Sequence, residues 1–290
     1  MEVIPLGTRP QGLRPLLPDG DYVYVTECYA NNVEVIRTSD NTIVETVQVG
    51  IYPWRCASLP DGEYVYVTNR DSDNAYVIRT SDNTVVDNVP LGDGPRAIIS
   101  LPDGEYIYVT NVFSHNVYVI RTSDNTVVDI ISVGNDPRDI TVLPDGKYVY
   151  VNCMGTSSVY VIRTSDNIVV NEIPVGYWPH GIASHPNGEY IYVIDEWLDK
   201  VFVIRTSDNT VIDEIQVGSN AKNAAVLPNG EYLYVTNRYS NSVSVIRTSD
   251  NTVVDNIPVG NGPIFVRALP DGKYLYVTNA YSQDVYVIGF

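Results

Sequence analysis

The sequence predicts an all-β fold, a seven-bladed β-propeller with four strands in each blade, and three observations support this prediction. A turn of the type Pro-Asp-Gly or Pro-Asn-Gly recurs every 42 residues, with its proline at Pro18, Pro60, Pro102, Pro144, Pro186, Pro228 and Pro270. The segment Arg-Thr-Ser-Asp-Asn keeps the same period and begins at Arg37, Arg79, Arg121, Arg163, Arg205 and Arg247. Short runs rich in Val, Ile and Tyr, which favour strands, lie between these markers. A fixed period of about 40 residues built from short strands is typical of a β-propeller.

Each unit contains four predicted strands, named A to D in chain order, and in the third unit they span residues 95–101, 105–111, 116–121 and 126–133. Pro-Asp-Gly joins A to B, because proline presets φ at the first corner of the turn and glycine accepts a positive φ. Thr-Ser-Asp-Asn-Thr joins C to D, where Asn or Asp tolerates the left-handed region. Strands B and C are continuous apolar runs, which predicts that neighbouring blades cover both faces.

The two ends of the chain predict how the ring closes. The last unit stops after strand C, and residues 2–7 match the end of a strand D such as residues 87–92. The N-terminal strand is therefore expected to complete the last blade. We expect one domain over residues 1–290, with blades at about 8–49, 50–91, 92–133, 134–175, 176–217, 218–259 and 260–290 plus 1–7. The segment from Gly7 to Pro18 is one residue longer than its counterparts, so the first D–A loop is expected to be irregular.

Strand B carries a recurring Tyr-Val-Thr-Asn, at Tyr66 to Asn69, Tyr108 to Asn111, Tyr234 to Asn237 and Tyr276 to Asn279. The whole chain thereby resembles the YVTN-repeat β-propeller family, which includes archaeal surface-layer propellers and bacterial proteins of unassigned role. More distant propellers with similar repeats include lactonases and the heavy chains of quinone-dependent dehydrogenases. The resemblance implies the fold, whereas propellers host both binding and catalysis.

Composition narrows the range of partners and compartments. The net charge of −17 argues against nucleic acid and anionic membranes as partners. No apolar run approaches the ~20 residues of a membrane helix, so no membrane insertion is expected. The chain begins directly with repeat sequence and no signal peptide, so we expect a cytoplasmic monomer, or an extracellular protein if a leader was removed. Cys28, Cys56 and Cys153 fit no metal spacing and are expected to be reduced thiols.

The repeats differ from one another almost only in strand A and in the D–A and B–C loops, which share one face of a propeller, here called the top. These variable segments carry ten basic and ten acidic residues, so the constant part carries the whole net charge of −17. Variable loops on a fixed scaffold are where binding residues are usually found. The top face is therefore the predicted functional surface, and the rest is expected to be a solvated acidic surface.

One position at the start of strand A is expected to rim the top of the channel. It is Trp54, Arg96, Arg138, His180, Lys222 and Ile264 in successive units. Four neighbouring blades would then direct cationic or titratable groups at one mouth, which favours a small anionic ligand, with a carboxylate preferred to a phosphate because no phosphate-binding loop is present. The alternative is that Asp93, Asp136 and Asp139 neutralise these groups in salt bridges between blades.

Aromatic residues depart from the repeat in two clusters. One contains Tyr52, Trp54 and Arg55, and the other contains Trp178, His180 and Trp197. Exposed Trp and Tyr beside Arg are typical of recognition surfaces, and the alternative is that they cap the blade edges against water. The predicted ligand-binding residues are Tyr52, Trp54, Arg55, Arg96, Arg138, Trp178, His180, Trp197 and Lys222.

Catalytic candidates are few. His180 with Asp195 or Glu196 forms a candidate acid–base pair, and Cys153 near His180 is a candidate nucleophile pair whose alternative is a buried inert thiol. His185 lies at the far end of strand A from His180, which rules out a three-histidine metal site. Asp195, Glu196 and Asp199 lack the spacing of a calcium loop, so a solvated acidic loop is favoured. No metal and no cofactor is predicted.

The first functional interpretation is a non-catalytic propeller whose top face and channel mouth hold a small anionic ligand or a protein partner. The alternative is an enzyme of the lyase, isomerase or lactonase type acting on a carboxylate-bearing substrate, with the basic rim holding the carboxylate or an oxyanion. A second alternative, suggested by the family resemblance, is a surface-layer or adhesion protein.

Overall fold

The computed structural model describes residues 2–6, 10–16 and 19–290, and for residue 2 and residues 10–16 it describes the backbone alone. Within these residues the chain forms seven four-stranded sheets, which confirms the predicted seven-bladed propeller. Within the segment from Gly7 to Pro18, residues 7–9 and 17–18 lie outside the described residues, so the predicted irregularity of the first D–A loop, Arg9 and the first turn proline are not described. In the described part of the chain, no helix is long and apolar enough to cross a membrane.

The strands follow one another in the repeating order A, B, C, D, and their bounds lie within about a residue of those predicted for the third unit. In chain order they are β1 (Glu2–Pro5), β2 (Pro10–Leu16), β3 (Tyr22–Glu27), β4 (Asn32–Arg37), β5 (Thr42–Gln48), β6 (Pro53–Ser58), β7 (Tyr64–Asn69), β8 (Asn74–Arg79), β9 (Thr84–Pro90), β10 (Pro95–Ser100), β11 (Tyr106–Asn111), β12 (Asn116–Arg121), β13 (Thr126–Ser132), β14 (Pro137–Val142), β15 (Tyr148–Cys153), β16 (Ser158–Arg163), β17 (Ile168–Pro174), β18 (Pro179–Ser184), β19 (Tyr190–Asp195), β20 (Lys200–Arg205), β21 (Thr210–Gln216), β22 (Ala221–Val226), β23 (Tyr232–Asn237), β24 (Ser242–Arg247), β25 (Thr252–Pro258), β26 (Pro263–Ala268), β27 (Tyr274–Asn279) and β28 (Asp284–Gly289). A 3₁₀ turn, Met154–Thr156, follows β15.

The N-terminal strand closes the ring, as predicted. The last blade has the strand order β1-β28-β27-β26, and β1 pairs antiparallel with β28 so that Val3 lies opposite Tyr286 and Ile4 opposite Val285. Ile4 is buried in a cluster that joins the last blade to the first. Pairing of β1 covers an edge of β28 that would otherwise present unpaired backbone groups.

Burial follows the position of a strand within its blade. In strand B of the second blade, β7, every residue from Val65 to Asn69 is buried, whereas the outer strand β9 buries only Val89. The faces of adjacent blades interlock, as where Tyr66 of one blade packs in a cluster with Ile98 and Ile107 of the next. Each fully buried Val or Ile contributes roughly 1.5–3 kcal/mol, so the stability of the fold comes from contacts between blades.

A hydrogen bond repeated around the ring explains two constant residues of the repeat. The hydroxyl of Tyr66 in strand B donates to the side-chain oxygen of Asn125, which belongs to the Arg-Thr-Ser-Asp-Asn marker of the next blade. Asn125 has a φ of 56°, so it also makes the left-handed corner of its C–D turn. Equivalent bonds among the described residues join Tyr24 to Asn83, Tyr108 to Asn167, Tyr150 to Asn209, and Tyr276 to Asn41. The marker therefore connects neighbouring blades as well as turning the chain.

Candidate ligand-binding site

The starts of the inner strands of blades two to seven line a chamber at the top of the central channel. The residues at this position are Trp54, Arg96, Arg138, His180, Lys222 and Ile264, and all six contribute to the chamber wall. The chamber has a volume of about 310 Å³, and its wall is completed by Met154, Trp178, Glu196, Arg238 and Phe265. The structure therefore brings together the four cationic or titratable residues that the repeat alignment places at one mouth.

A β-bulge at the start of the inner strands explains how these side chains reach the chamber. In β6, Pro53 pairs with Asn69 and Arg55 pairs with Thr68, so the intervening Trp54 has no partner in β7. The same register shift surrounds Arg138 in β14 and His180 in β18. A bulge leaves its extra residue outside the ladder and re-aims its side chain. The bulge thus turns one residue of each of these strands toward the channel mouth.

The threonine of the Tyr-Val-Thr-Asn repeat holds two inner strands together beneath the chamber. The Thr68 hydroxyl of β7 lies 2.8 Å from the backbone oxygen of Arg96 in β10 and also contacts the backbone oxygen of Arg55 in β6. Thr26 makes the corresponding contact with the backbone oxygen of Trp54. A buried strand-B residue therefore fixes the backbone of the chamber-lining residue in the next blade.

Arg96 has an unusual environment for a buried cation. Among the described residues, no carboxylate lies within salt-bridge distance of Arg96, although its side chain is almost fully buried. Its Nη2 contacts His180 Nε2 at 2.9 Å, its guanidinium lies 4.7 Å from the centre of the Trp54 ring, and its Nε has no hydrogen-bond partner. Burial, and next the like charge of Arg138, lower the pKa of Arg96 well below its usual value. A bound anion would therefore recover free energy by stabilising the charged form.

The other cations of the chamber are partly neutralised. Arg138 donates to Asp136 at 2.6 Å, and Lys222 forms a salt bridge with Glu196. Of the three acids in the salt-bridge alternative, Asp136 neutralises Arg138, although within one unit rather than between blades, and the partner of Lys222 is Glu196, which that alternative did not include. Burial lowers the pKa of Lys222 to about 8, against the opposing effect of Glu196. Lys222 is therefore mostly charged at neutral pH and loses that charge just above it.

The histidine of the chamber is held neutral and in one tautomer. His180 Nδ1 lies 3.1 Å from the backbone oxygen of Lys222, so this nitrogen carries the proton and donates it. Nε2 then accepts from Arg96 and lies 4.0 Å from a carboxylate oxygen of Glu196. Burial lowers the pKa of His180 well below its usual value, and the neighbouring cations, led by Lys222, act in the same direction. His180 therefore presents an unprotonated nitrogen to the Arg96 guanidinium, which has no carboxylate partner among the described residues.

A second layer of inner-strand residues, which includes Arg55, lies against the chamber residue Phe265. Arg55 makes a two-point ion pair with Asp139, two blades away, and both side chains are almost fully buried. Asn223 donates to the same carboxylate at 3.3 Å, and the Arg55 guanidinium lies 4.5 Å from the centre of the Phe265 ring. Arg55 is thus held in a structural contact inside the channel, and Asp139 neutralises Arg55 rather than the cations at the channel mouth.

Two other predicted ligand-binding residues lie outside the chamber. Tyr52 stacks on Trp54, with ring centres 5.6 Å apart, and supports it from the side of the loop. Trp197 is exposed and lies in a groove next to the chamber, with its ring centre 5.0 Å from that of Trp178. Trp178 lines both cavities.

Two of the catalytic candidates have structural roles. The buried Asp195 carboxylate accepts four backbone N–H bonds, from Tyr177, Trp178, Trp197 and Leu198, at 2.6–2.9 Å. It therefore shapes two loops and has no free oxygen for acid–base work. Cys153 is fully buried, and burial strongly raises the pKa of its thiol, which corresponds to the inert alternative. Of the catalytic candidates, His180 and Glu196 remain in the chamber.

Arg238 and Met154 line the chamber but are not among the predicted ligand-binding residues, although Met154 belongs to the same cluster of the sequence as Trp178. They occupy the first position of the B–C loop, which is Arg70, Val112, Met154, Glu196, Arg238 and Ala280 in successive units. Aligning these loops as strand A was aligned would have identified this second ring of variable residues. Among the described residues, no group of three or more His, Cys, Asp or Glu side chains is arranged to hold a metal ion.

Comparisons with known proteins place the fold and the family. Hydrazine synthase from Kuenenia stuttgartiensis is a similar solved structure, with a TM-score of 0.89, 23% sequence identity, and coverage of 99% of this chain and 96% of that chain. At this identity the likeness shows the fold alone. A search of curated proteins finds no match. The likeness to the YVTN-repeat family stays a prediction, because no comparison names that family. The family described as "Lactonase, 7-bladed beta-propeller" matches residues 136–290, which is more than half of the chain, so the protein belongs to this family.

Proposed function

We propose that the protein is a lactonase-type enzyme that opens a small lactone bearing a carboxylate in the top chamber. The observation that carries this proposal is the contact between neutral His180 and Arg96, a buried guanidinium with no carboxylate partner among the described residues. It joins a general base to an anion-binding group inside one chamber. Membership of the lactonase propeller family supports the same reading.

The carboxylate of the substrate would bind to Arg96 and Arg138. Both guanidinium groups retain a buried Nε–H without a partner, and planar guanidinium groups bind carboxylates through paired hydrogen bonds. When Arg96 turns toward this anion, it gives up its bond to His180 Nε2. Substrate binding would thereby free the basic nitrogen for a water molecule.

The reaction requires one proton acceptor and one oxyanion site. His180 Nε2 would remove a proton from water as its oxygen attacks the lactone carbonyl, and the Lys222 ammonium would stabilise the oxyanion. The ring C–O bond then breaks, and the leaving alkoxide takes the proton back from His180. One lactone and one water give one hydroxy acid, which ionises. Because the pKa of His180 lies below its usual 6.5, the acid limb of the rate profile is expected below pH 6.5.

A non-catalytic receptor for a small carboxylate is the second candidate, and the state of Glu196 favours it. Lys222 and Asn220 bind this carboxylate and lower its pKa despite the opposing effect of its burial. Glu196 is therefore held charged, and it cannot act as a general acid at neutral pH. The proposed reaction then depends on His180 alone for its proton transfer, and a site in which His180 does not act would bind a carboxylate and leave it unchanged.

Binding and turnover measurements distinguish the two functions. Calorimetry at low and high salt would use lactate, succinate, citrate and glucuronate, and turnover would use the β- and γ-carboxy isomers of γ-butyrolactone with a pH indicator. Arg96→Ala with Arg138→Ala should weaken binding by about 1.5–3 kcal/mol for each charged hydrogen bond lost. His180→Asn should reduce turnover roughly 100-fold or more while keeping product binding.

The matched control is His185→Asn, because His185 lies at the other end of its strand and contacts Asn187 and Gly230. It should leave both measurements unchanged. Binding without turnover would identify a receptor. Absence of carboxylate binding at low salt, or equal binding by the double variant, would contradict both functions. Melting curves of each variant separate these outcomes from misfolding.

A further inference from the structure

A groove continues outward from the chamber across the top face. It has a volume of about 260 Å³ and shares two of its lining residues, Trp178 and Glu196, with the chamber. Trp197 and Tyr239 complete its aromatic lining. A ligand held by its carboxylate in the chamber could therefore extend into the groove past Glu196 without crossing the blade core.

The aromatic lining of the groove is exposed. Trp178 is 42% exposed, Trp197 is 63% exposed and Tyr239 is 64% exposed. The two tryptophan rings have centres 5.0 Å apart and are inclined at 57°, so they form an angled pair rather than a stack that hides both faces. Large exposed aromatic rings near a cavity offer flat apolar surface to a ring of similar size.

Polar groups line the same groove. Asn220 is 9% exposed, and its amide nitrogen donates to Glu196 at 3.0 Å while its buried side-chain oxygen has no hydrogen-bond partner. An oxygen of Asp199 accepts from the backbone nitrogen of Asn220 at 2.5 Å, and Ser219 lies beside it in the lining. A hydrogen-bonded carboxylate, an amide and a hydroxyl thus occur next to flat apolar surface.

We propose that this groove binds a sugar ring joined to the carboxylate-bearing group that occupies the chamber. The C–H face of a pyranose packs on aromatic rings, and its hydroxyls pair with carboxylate, amide and hydroxyl groups at the ring edge. An aryl ring would cover the same aromatic surface but leave the polar groups desolvated and unpaired, which costs free energy. The inference rests on the proposed carboxylate site, and it extends the ligand from a small acid to a glycoside of a sugar acid.

Three ligands with one acidic head test the proposal, namely glucuronate, a glucosyl-glucuronate disaccharide and phenyl glucuronide. The disaccharide should bind at least tenfold more tightly than glucuronate. Trp197→Ala and Tyr239→Ala should remove this gain and leave the affinity for glucuronate unchanged. Both residues are exposed, so the variants are expected to keep the wild-type melting temperature.

The internal repeat provides a matched control. Phe113 occupies the loop position of Trp197 and Tyr239 in another blade and is also exposed, but it does not line the groove. Phe113→Ala should keep the full gain. No gain for the disaccharide, or a gain that survives Trp197→Ala, would overturn the inference, and an equal gain for phenyl glucuronide would overturn the sugar assignment.

Failure of the carboxylate site gives a different result from failure of the groove. If Arg96→Ala leaves the affinity for glucuronate unchanged, the chamber assignment fails. Methyl β-glucoside, which has no carboxylate, then tests the groove alone. A Trp197-dependent affinity for this neutral sugar would support the groove, and its absence would count against it.

Discussion

Two sets of Arg–Asp ion pairs have different structural roles. One set lies at the exposed C–D turns, here called the rim, and the other lies in the central channel. At the rim, Arg79 pairs with Asp82 across one C–D turn at 2.6 Å, and five other markers repeat this exposed pair among the described residues. In the channel, Arg55 pairs with Asp139, 84 residues away, and both side chains are almost fully buried. The rim pair shapes a local turn, whereas the channel pair joins blades that are not neighbours in the chain.

The number of times that a charge pair is repeated therefore does not predict how much each pair contributes to the free energy of unfolding. Exposed pairs gain modest Coulomb energy in high dielectric and lose it to salt and side-chain entropy. Removing one member of a buried pair leaves the other charged, desolvated and alone. The single Arg55–Asp139 pair should therefore contribute more to the free energy of unfolding than any one of the six pairs at the rim.

Breaking the channel pair should have the largest effect. Arg55→Ala leaves the Asp139 carboxylate buried with only its polar neighbours, and we expect a loss of about 3–5 kcal/mol in the free energy of unfolding. Urea unfolding monitored by circular dichroism measures it. A double variant, Arg55→Met with Asp139→Leu, should recover part of the loss because no isolated charge remains. A loss below about 1 kcal/mol in Arg55→Ala would contradict this account of the channel pair.

The Lys222–Glu196 pair should show an intermediate effect that depends on pH. Because the pKa of Lys222 is lowered to about 8 from its ordinary 10.5, the side chain is charged at pH 7 and becomes neutral as the pH rises through 8. Turnover of the carboxylate-bearing lactone, corrected for uncatalysed hydrolysis, should fall by roughly tenfold between pH 7 and pH 9, a change of about 1.4 kcal/mol in the activation free energy. Rate measurements at constant ionic strength give the profile. Lys222→Met should turn over slowly at both pH values, and a parent profile that is flat across this interval would be incompatible with the oxyanion-stabilising role of Lys222.

The rim pair should show the smallest effect. Arg79→Ala removes an exposed salt bridge and a bond from the guanidinium to the Thr84 hydroxyl, while Asp82 still accepts from Thr84 within the turn. We expect the urea midpoint to stay within experimental error at physiological salt. Arg121→Ala, the same change in the next blade, is the internal replicate. A midpoint shift as large as that of Arg55→Ala would remove the distinction between rim and channel.

The period of the sequence predicted most of the fold, because each unit repeats the same turn residues and the same apolar strand segments. Proline turns, left-handed Asn corners and apolar strands specify four strands per blade, and the match of residues 2–7 to strand D predicted the closing pair β1–β28. The chamber ring was predictable for the same reason. Residues at one fixed position of the repeat, such as His180 and Lys222, lie at the same level of the channel in their blades. A change of residue type at that position therefore predicted a chamber residue.

Pairing across the channel could not be predicted from the period. Whether Asp139 neutralises Arg55 or Arg138 depends on distances between blades that no local pattern encodes. The same limitation applies to Asp195. Its carboxylate and its position in a variable loop suggested an acid–base role. Its four backbone hydrogen bonds depend on the folded path of two separate loops.

The contacts between residues 84 apart have a consequence for how such a ring can evolve. Arg55 with Asp139, Arg96 with His180, and Asn223 with Asp139 each join a blade to the next but one. In an open array of repeats each unit contacts its neighbours alone, so units can be gained or lost singly. Here, duplication or deletion of a 42-residue unit between two partners would change the distance between them across the channel. A buried charge would then be left without its partner. The contacts across the channel therefore fit one number of blades only, and they select against the gain or loss of a single repeat in the gene.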